Sequence, residues 1–375
     1  MPQARGVPRA AKNAPHPAVT AALAGAPPEL VHLGALTHEL GVVQFARGDT
    51  RDLDSGFCVD DNARALIVAV HVLALEPRHG EAHRIGEAAL RLLERTHIGD
   101  DGFHNLLDAS GARIEAQGQS EDANGRAIWA LGIAAAQSHD ADWQARARAL
   151  LERSWTAARR LQHLRPRAYA LLGATAAVRV SPAAKSMLDE LSHSLHERHR
   201  THALPEWPWW EPALSWGNAR LPEAMLRAAT ATGSSVLGAC GLNTLAFLGE
   251  VCQGRGIFVP IGNDGWYPRG GKRARYDQQP IEAAGMVDAW LAAAAHTGEE
   301  SYRRRALEAF SWFLGVNSER LVVADPQTGG CRDGLGAGFR NRNMGAESTL
   351  SYLQAYCSIA LDARARSAPP TAKRS

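Results

Sequence analysis

The sequence is short of cysteine, of net charge and of long apolar runs. Cys58, Cys240, Cys252, Cys331 and Cys357 are the only cysteines among 375 residues. They show no paired short spacing, which argues against a disulfide framework and against a zinc site. A reducing, cytoplasmic setting is expected. Lysine and arginine number 41 against 39 acidic residues, for a net charge of +2. Nucleic-acid binding asks for a marked basic patch, and only the short runs Lys272–Arg275 and Arg340–Arg342 lean that way. No stretch reaches the ~18 apolar residues of a membrane span, so no membrane partner is expected. Ala18–Ala26 is too weakly apolar for a signal-peptide core. Residues 1–30 are expected to be a disordered leader and 363–375 a disordered tail. That leaves 31–362 as one domain.

Strand-like alternation is also scarce, whereas helical periodicity runs almost from end to end. In Gly80–His97, Ile85, Ala88, Ala89, Leu92 and Leu93 share one face, with Arg84, Glu87, Arg91, Glu94 and Arg95 opposite. Such an amphipathic pattern marks a surface helix. Trp143–Gln162, Ala183–Arg198, Val236–Gln253 and Ser301–Val316 read the same way, and Leu33–Phe45 more weakly. Between these lie segments rich in Ala, Leu and Gly with few charges: Asp61–Leu75, Asn124–Gln137, Arg167–Val178, Arg220–Ala231, Pro280–His296 and Ala346–Leu361. A helix apolar on most sides is a buried one. Outer and inner helices thus alternate six times, with inner starts near 60, 121, 167, 218, 280 and 345. The repeat is too long and irregular for a solenoid. It fits an all-α (α/α)6 toroid, an inner ring wrapped by an outer one.

Inner-to-outer links are short, whereas outer-to-inner links, Leu164–Pro166 excepted, are long. One face of the ring therefore carries nearly all the long loops, where function usually resides. Those loops hold Trp207, Trp209, Trp210, Trp216 and Trp266, half of the ten tryptophans, together with Tyr267, Glu211, Asn218, Asn263, Asp264 and Asp277. Aromatic planes mixed with carboxylates and amides suit sugars: rings stack on the apolar sugar face, and polar groups pair with hydroxyls. Small β-hairpins are expected on this face, among them Phe103–Leu107 with Ala112–Ala116.

Inner-helix N-termini also point to that face. Asp60-Asp61 opens one and Glu121-Asp122 the next, while Asp277 precedes the fifth and Glu347 opens the sixth. Doubled carboxylates at two starts exceed the needs of capping, and glycoside hydrolysis requires paired acids. Crowding raises the pKa of one acid so that it can stay protonated beside an ionised neighbour. Asp60, Asp61, Glu121, Asp122 and Asp277 are the catalytic candidates. Arg64 and Arg126 stand one turn inside their helices, as brace or as substrate clamp. With Arg220, Gln278, Glu347 and the loop residues Trp209, Trp210, Glu211, Trp216, Asn218, Asn263, Asp264, Trp266 and Tyr267, they are the substrate-binding candidates. No cofactor or metal is implied.

Five stretches carry a resemblance: Gly56–Leu66 (GFCVDDNARAL), Gln119–Gly132 (QSEDANGRAIWALG), Gly217–Met225 (GNARLPEAM), Pro260–Trp266 (PIGNDGW) and Asn343–Thr349 (NMGAEST). Over roughly residues 30–362 the chain resembles the six-hairpin glycosidase superfamily. More narrowly, it is similar to a bacterial group often attached to, or encoded beside, glycosyltransferases. The resemblance implies an (α/α)6 barrel, a glycan substrate, acid/base carboxylates and a glycosyltransferase as a partner; some retaining members use adjacent aspartates like Asp60-Asp61. A glycoside hydrolase acting on an oligo- or polysaccharide is the leading expectation. The alternatives are a non-catalytic glycan-binding accessory domain, a sugar epimerase, and a uronate lyase using Arg220, Arg269, Lys272, Arg273 and Arg275.

Overall fold

The computed structural model describes residues 15–367. Its helices are α1 (Pro17–Leu23), α2 (Val31–Leu36), α3 (Val59–Leu75), α4 (Gly80–Thr96), α5 (Glu121–Gln137), α6 (Ala141–Arg160), α7 (Leu164–Ala177), α8 (Ala184–His202), α9 (Arg220–Thr232), α10 (Ser235–Val251), α11 (Pro280–Thr297), α12 (Glu300–Ser311) and α13 (Ala346–Ser367). Helices α3, α5, α7, α9, α11 and α13 pack side by side, and α13 returns to α3 to close the ring. The outer helices α4, α6, α8, α10 and α12 wrap it. This is the (α/α)6 toroid that the alternation of apolar and amphipathic segments predicts.

Inner and outer helices differ as their sequences dictate. Every residue of α5 from Ala123 to Ala135 is buried. In α4 the buried set includes Ile85, Ala88, Ala89, Leu92 and Leu93, the face read from periodicity. Where α5 meets α7, side chains vanish. A Cβ on Gly132 would collide with the backbone of Gly173, and one on Gly173 with the backbone of Ile128. Glycine is required there by proximity, not by backbone angle.

The first outer element differs from expectation. The helix predicted over 33–45 stops at Leu36. Two hairpins follow, Thr37–His38 with Gly41–Val42 and Phe45–Arg47 with Thr50–Asp52. The Asn62 side chain binds both N–H and C=O of Val42, at 2.8 and 3.2 Å, and so holds that strand against α3. The outer position beside α13 is taken by α1, which buries Ala18, Val19 and Ala22. This helix lies within the expected leader, and α13 runs five residues into the expected tail; residues 1–14 and 368–375 lie outside the described part. Leu106–Leu107 pairs with Phe57–Cys58 as well as with its predicted partner segment, which meets it through a bridge between Leu107 and Arg113 and a bond from Ile114 N–H to Leu106 O. No described helix is long and apolar enough to cross a membrane, and the five cysteines are buried and free.

The long loops are laced together around the ring. Phe57–Cys58 pairs with Leu106–Leu107, and Ala213–Leu214 with Tyr267–Pro268. Gln278 bridges Leu335, and Met344 N–H donates to Gly48 O at 2.8 Å. Glu121 and Arg165 complete the circuit with side-chain bonds described below.

Gly173→Ala should destabilise the fold by about 1–3 kcal/mol, the usual cost of overpacking. Gly80→Ala, where an added methyl meets nothing, should be neutral or stabilising by about 0.4–1 kcal/mol. Urea unfolding of the two variants beside the parent chain checks both; equal effects would mean that the α5–α7 approach is looser than described.

Candidate active site

The first turns of α3, α5 and α7 build the site. At α3, Cys58 caps the helix: its Sγ accepts from Asp61 N–H at 3.5 Å, and its thiol donates to Asp61 Oδ2 at 3.0 Å. Asp61 is buried and also accepts from Arg64 Nη1 at 2.7 Å. Arg64 Nη2 reaches Glu347, at the start of α13, at 2.6 Å. Burial pushes Asp61 up to about 6; Arg64 opposes the shift and Glu347 adds to it. With its oxygens engaged by Cys58 and Arg64, Asp61 is a brace.

Asp60 and Asp122 are arranged otherwise. Each has a buried Oδ1 with no hydrogen-bond partner among the described residues. Buried polar atoms are almost always satisfied, and these two carboxylate oxygens find no partner within the protein. Asp60 Oδ1 lies 3.8 Å from Arg126 Nε. Asp122 is pushed up to about 6, first by burial, against Arg126, and further by the charge of Asp60. Near neutral pH such a group can hold or release a proton.

Glu121 does not share this role. Its Oε2 accepts from the N–H groups of Gln162 and His163 and pairs with His163 Nδ1, each at 2.9 Å. Burial alone would raise its pKa, but these bonds hold it below the usual carboxylate range. It ties the start of α5 to the link that leads into α7. Asp277 is exposed on its loop at φ 56° and does not line the cavity described below. It accepts from Asn263 Nδ2 at 3.1 Å, and Asn263 Oδ1 accepts from Trp266 Nε1 at 2.7 Å. Asp264 is exposed beside them.

A cavity of about 460 Å³ opens beside Asp122, lined by Glu121, His163, Arg165, Arg198, Glu211, Trp216 and Trp266. Of the loop tryptophans, Trp216 and Trp266 reach it. Trp209 and Trp210 do not: both are fully buried, edge to face at 5.0 Å, and Trp210 donates to Leu195 O. They pin the loop to α8. Tyr267 packs on buried Trp207 at 5.3 Å. Large aromatic area in a small-residue scaffold is used for anchoring as readily as for recognition. Three polar candidates are also internal ties. Asn218 bonds Ser215 and Arg165. Gln278 holds Trp312 and Ser318. Arg220 is bound by Glu223 and Asp288 at 2.6 and 2.7 Å.

Sequence reading missed Arg165. It is buried, pairs with Glu211, and donates to Trp216 O and Ser215 Oγ at 2.8 and 3.0 Å. Placing the start of α7 at 167 hid it; the observed start at Leu164 puts it in line with the acids on α3 and α5. Glu282 is likewise buried and accepts from Gly217 N–H. Burial raises its pKa against that bond and the charge of Arg165. Among the described residues no three His, Cys, Asp or Glu side chains are grouped to hold a metal.

An acid whose folded pKa exceeds its unfolded value keeps its proton longer in the folded chain. Ionised Asp122 therefore costs stability as pH rises from about 4 to about 6. Asp122→Asn should match the parent near pH 4 and exceed it at pH 8 by roughly 1–3 kcal/mol. Urea unfolding at both pH values tests this; a gap that does not change with pH would show that Asp122 carries no such strain.

No protein-family model and no curated protein matches the chain. Solved structures do. A sugar epimerase from a ruminal bacterium superposes with a TM-score of 0.71 at 13% identity, over 92% of this chain and 98% of that one. Cellobiose 2-epimerase from Bacillus thermoamylovorans gives 0.69 at 12%, over 92% and 98%. An inactive variant of an α-1,6-mannanase from Salegentibacter, two aspartates replaced and α-1,6-mannotetrose bound, gives 0.58 at 10%, over 92% and 98%. The neighbours are epimerases and mannanases of the six-hairpin glycosidase superfamily, and the fold of this chain is their (α/α)6 toroid.

Proposed function

We propose that the chain is a glycoside hydrolase acting on an oligo- or polysaccharide. The observation that carries this reading is the pair of bare, buried carboxylate oxygens on Asp60 and Asp122, flanking Arg126 at the ring mouth. Asp122, pushed up to about 6, is the acid that protonates the leaving oxygen. Asp60 is the second carboxylate, acting on water or on the anomeric carbon. Trp216 and Trp266 offer stacking faces along the adjoining cavity. The solved α-1,6-mannanase variant named inactive lacks two aspartates, in keeping with carboxylate chemistry on this scaffold.

A second reading, epimerisation, is favoured by His163 in the cavity lining, since imidazoles serve proton shuttling. Its tie to Glu121 at 2.9 Å occupies one ring nitrogen in a structural contact instead. An accessory role beside a glycosyltransferase would use the same cavity for binding alone.

Purified protein should cleave at least one member of a panel of α- and β-linked oligosaccharides. Asp60→Asn and Asp122→Asn should each lower turnover by roughly 10²–10⁴-fold, and Asp277→Asn by less than about threefold, within the spread expected outside the acid/base pair. Mass spectrometry and proton NMR of the products decide: a sugar of unchanged mass with a changed NMR spectrum supports epimerisation, and binding without any product supports the accessory role.

A further inference from the structure

The arginines one turn inside α3 and α5 meet opposite fates. Arg64 spends its donors on Asp61 and Glu347. Arg126 is equally buried, at 3% exposure, yet no hydrogen bond of its guanidinium is found among the described residues, and its Nε is without a partner. A buried guanidinium with idle donors is costly, so its position must be held by other means. Those means are stacked rings. The guanidinium lies 4.1 Å from the centroid of Tyr169. Tyr169 stacks on Trp129 at 5.8 Å and 13°. Trp129 in turn carries Arg220 at 4.9 Å, and Arg220 is anchored by Glu223 and Asp288. Cation–π contact is strongest where water is excluded.

Around the free end of this column two more buried atoms stand open, Oδ1 of Asp60 and Oδ1 of Asp122. Open donors and open acceptors side by side match hydroxyl groups, each of which donates and accepts. A guanidinium presents its donors in a planar fork, spaced for two neighbouring oxygens. An acidic sugar is disfavoured, because its carboxylate would approach Arg126 between two carboxyl groups of the protein.

We infer that Arg126 clasps a vicinal hydroxyl pair of a neutral pyranose at the ring mouth, with Tyr169 as the positioning residue that holds the guanidinium flat. The inference rests on the reading of the ring mouth as a glycan site, where Asp122 borders the cavity and Arg126 lies behind it, and adds to it the substrate class. It leaves Arg64, similar in sequence setting, without a part in binding.

The test is calorimetric titration of the full chain carrying Asp122→Asn, which blocks turnover. The probes are neutral trisaccharides of α- and β-linked glucose, mannose and galactose, with trigalacturonate as the acidic probe. At least one neutral probe should bind, and more tightly than trigalacturonate. Adding Arg126→Lys should weaken it about tenfold or more, the loss of a charge-assisted bidentate contact. Tyr169→Phe, which keeps the ring, should stay within about threefold, and Tyr169→Leu should lose about tenfold at unchanged helical circular dichroism. The tyrosine pair decides the matter if Arg126→Lys does not fold. Failure of every neutral probe, preference for trigalacturonate, or affinity indifferent to Arg126 or to the Tyr169 ring overturns the inference. Arg126-dependent binding in a chain that cleaves nothing removes the hydrolase and leaves the clasp. Cleavage with an unchanged KM in Arg126→Lys removes the clasp and leaves the hydrolase.

Discussion

The toroid closes at one seam, between its first and last inner helices, and Arg64 lies across it. Its guanidinium takes Asp61 from its own helix and Glu347 from α13. Every other neighbouring pair of inner helices belongs to successive hairpins, so chain connectivity helps to bring them together. The α3–α13 contact joins residues nearly 300 positions apart and has no such help. Arg64 is buried, so a wrong closure deprives its guanidinium of Glu347, itself half exposed, and leaves it Asp61 alone. Such a pair therefore penalises wrong closures more than it rewards the right one. Asp61 and Glu347 are committed to Arg64 at the seam, whereas Asp60 and Asp122 leave an oxygen open.

The ring was legible because its signal is repeated. Six apolar helices alternating with amphipathic ones give a pattern that survives a shift of a few residues. The predicted starts at 60, 121, 280 and 345 fall within one residue of α3, α5, α11 and α13. The first outer helix was not legible. Leu33, Leu36, Val42 and Val43 are all buried, and their spacing mimics a helical face. The side chain of Asn62, twenty residues away, holds Val42 in the extended hairpin that the second half forms with Thr37–His38. A tertiary hydrogen bond overrides a local period, and no local window contains it.

The site was legible by residue type and obscure in its division of labour. Helix N-termini on one face did gather Asp60, Asp61, Asp122 and Arg126. What the sequence does not show is where each side chain finds its partners. Glu121 and Asp122 are adjacent and both border the cavity, yet Glu121 is tied to the Gln162–His163 link while Asp122 keeps an open oxygen, because successive residues of a helix point about 100° apart. The tryptophans were misread for a related reason. Glu206–Glu211 looks like an aromatic display, but Trp207, Trp209 and Trp210 are all buried against the protein. Aromatic richness signals buried area, and burial against protein uses the same surface as burial against sugar.

The loops of the active face form a collar in which each is bonded to both neighbours, through strand pairs, Glu121 and Arg165. Such a rim is not modular. Lengthening one loop strands backbone groups on two others, which must then find new partners or water. Variation in this collar is accordingly coupled: a change of loop length at one station calls for compensation at the next, so that new specificities on this scaffold come more readily from exchanging side chains within the existing loops than from grafting in new ones.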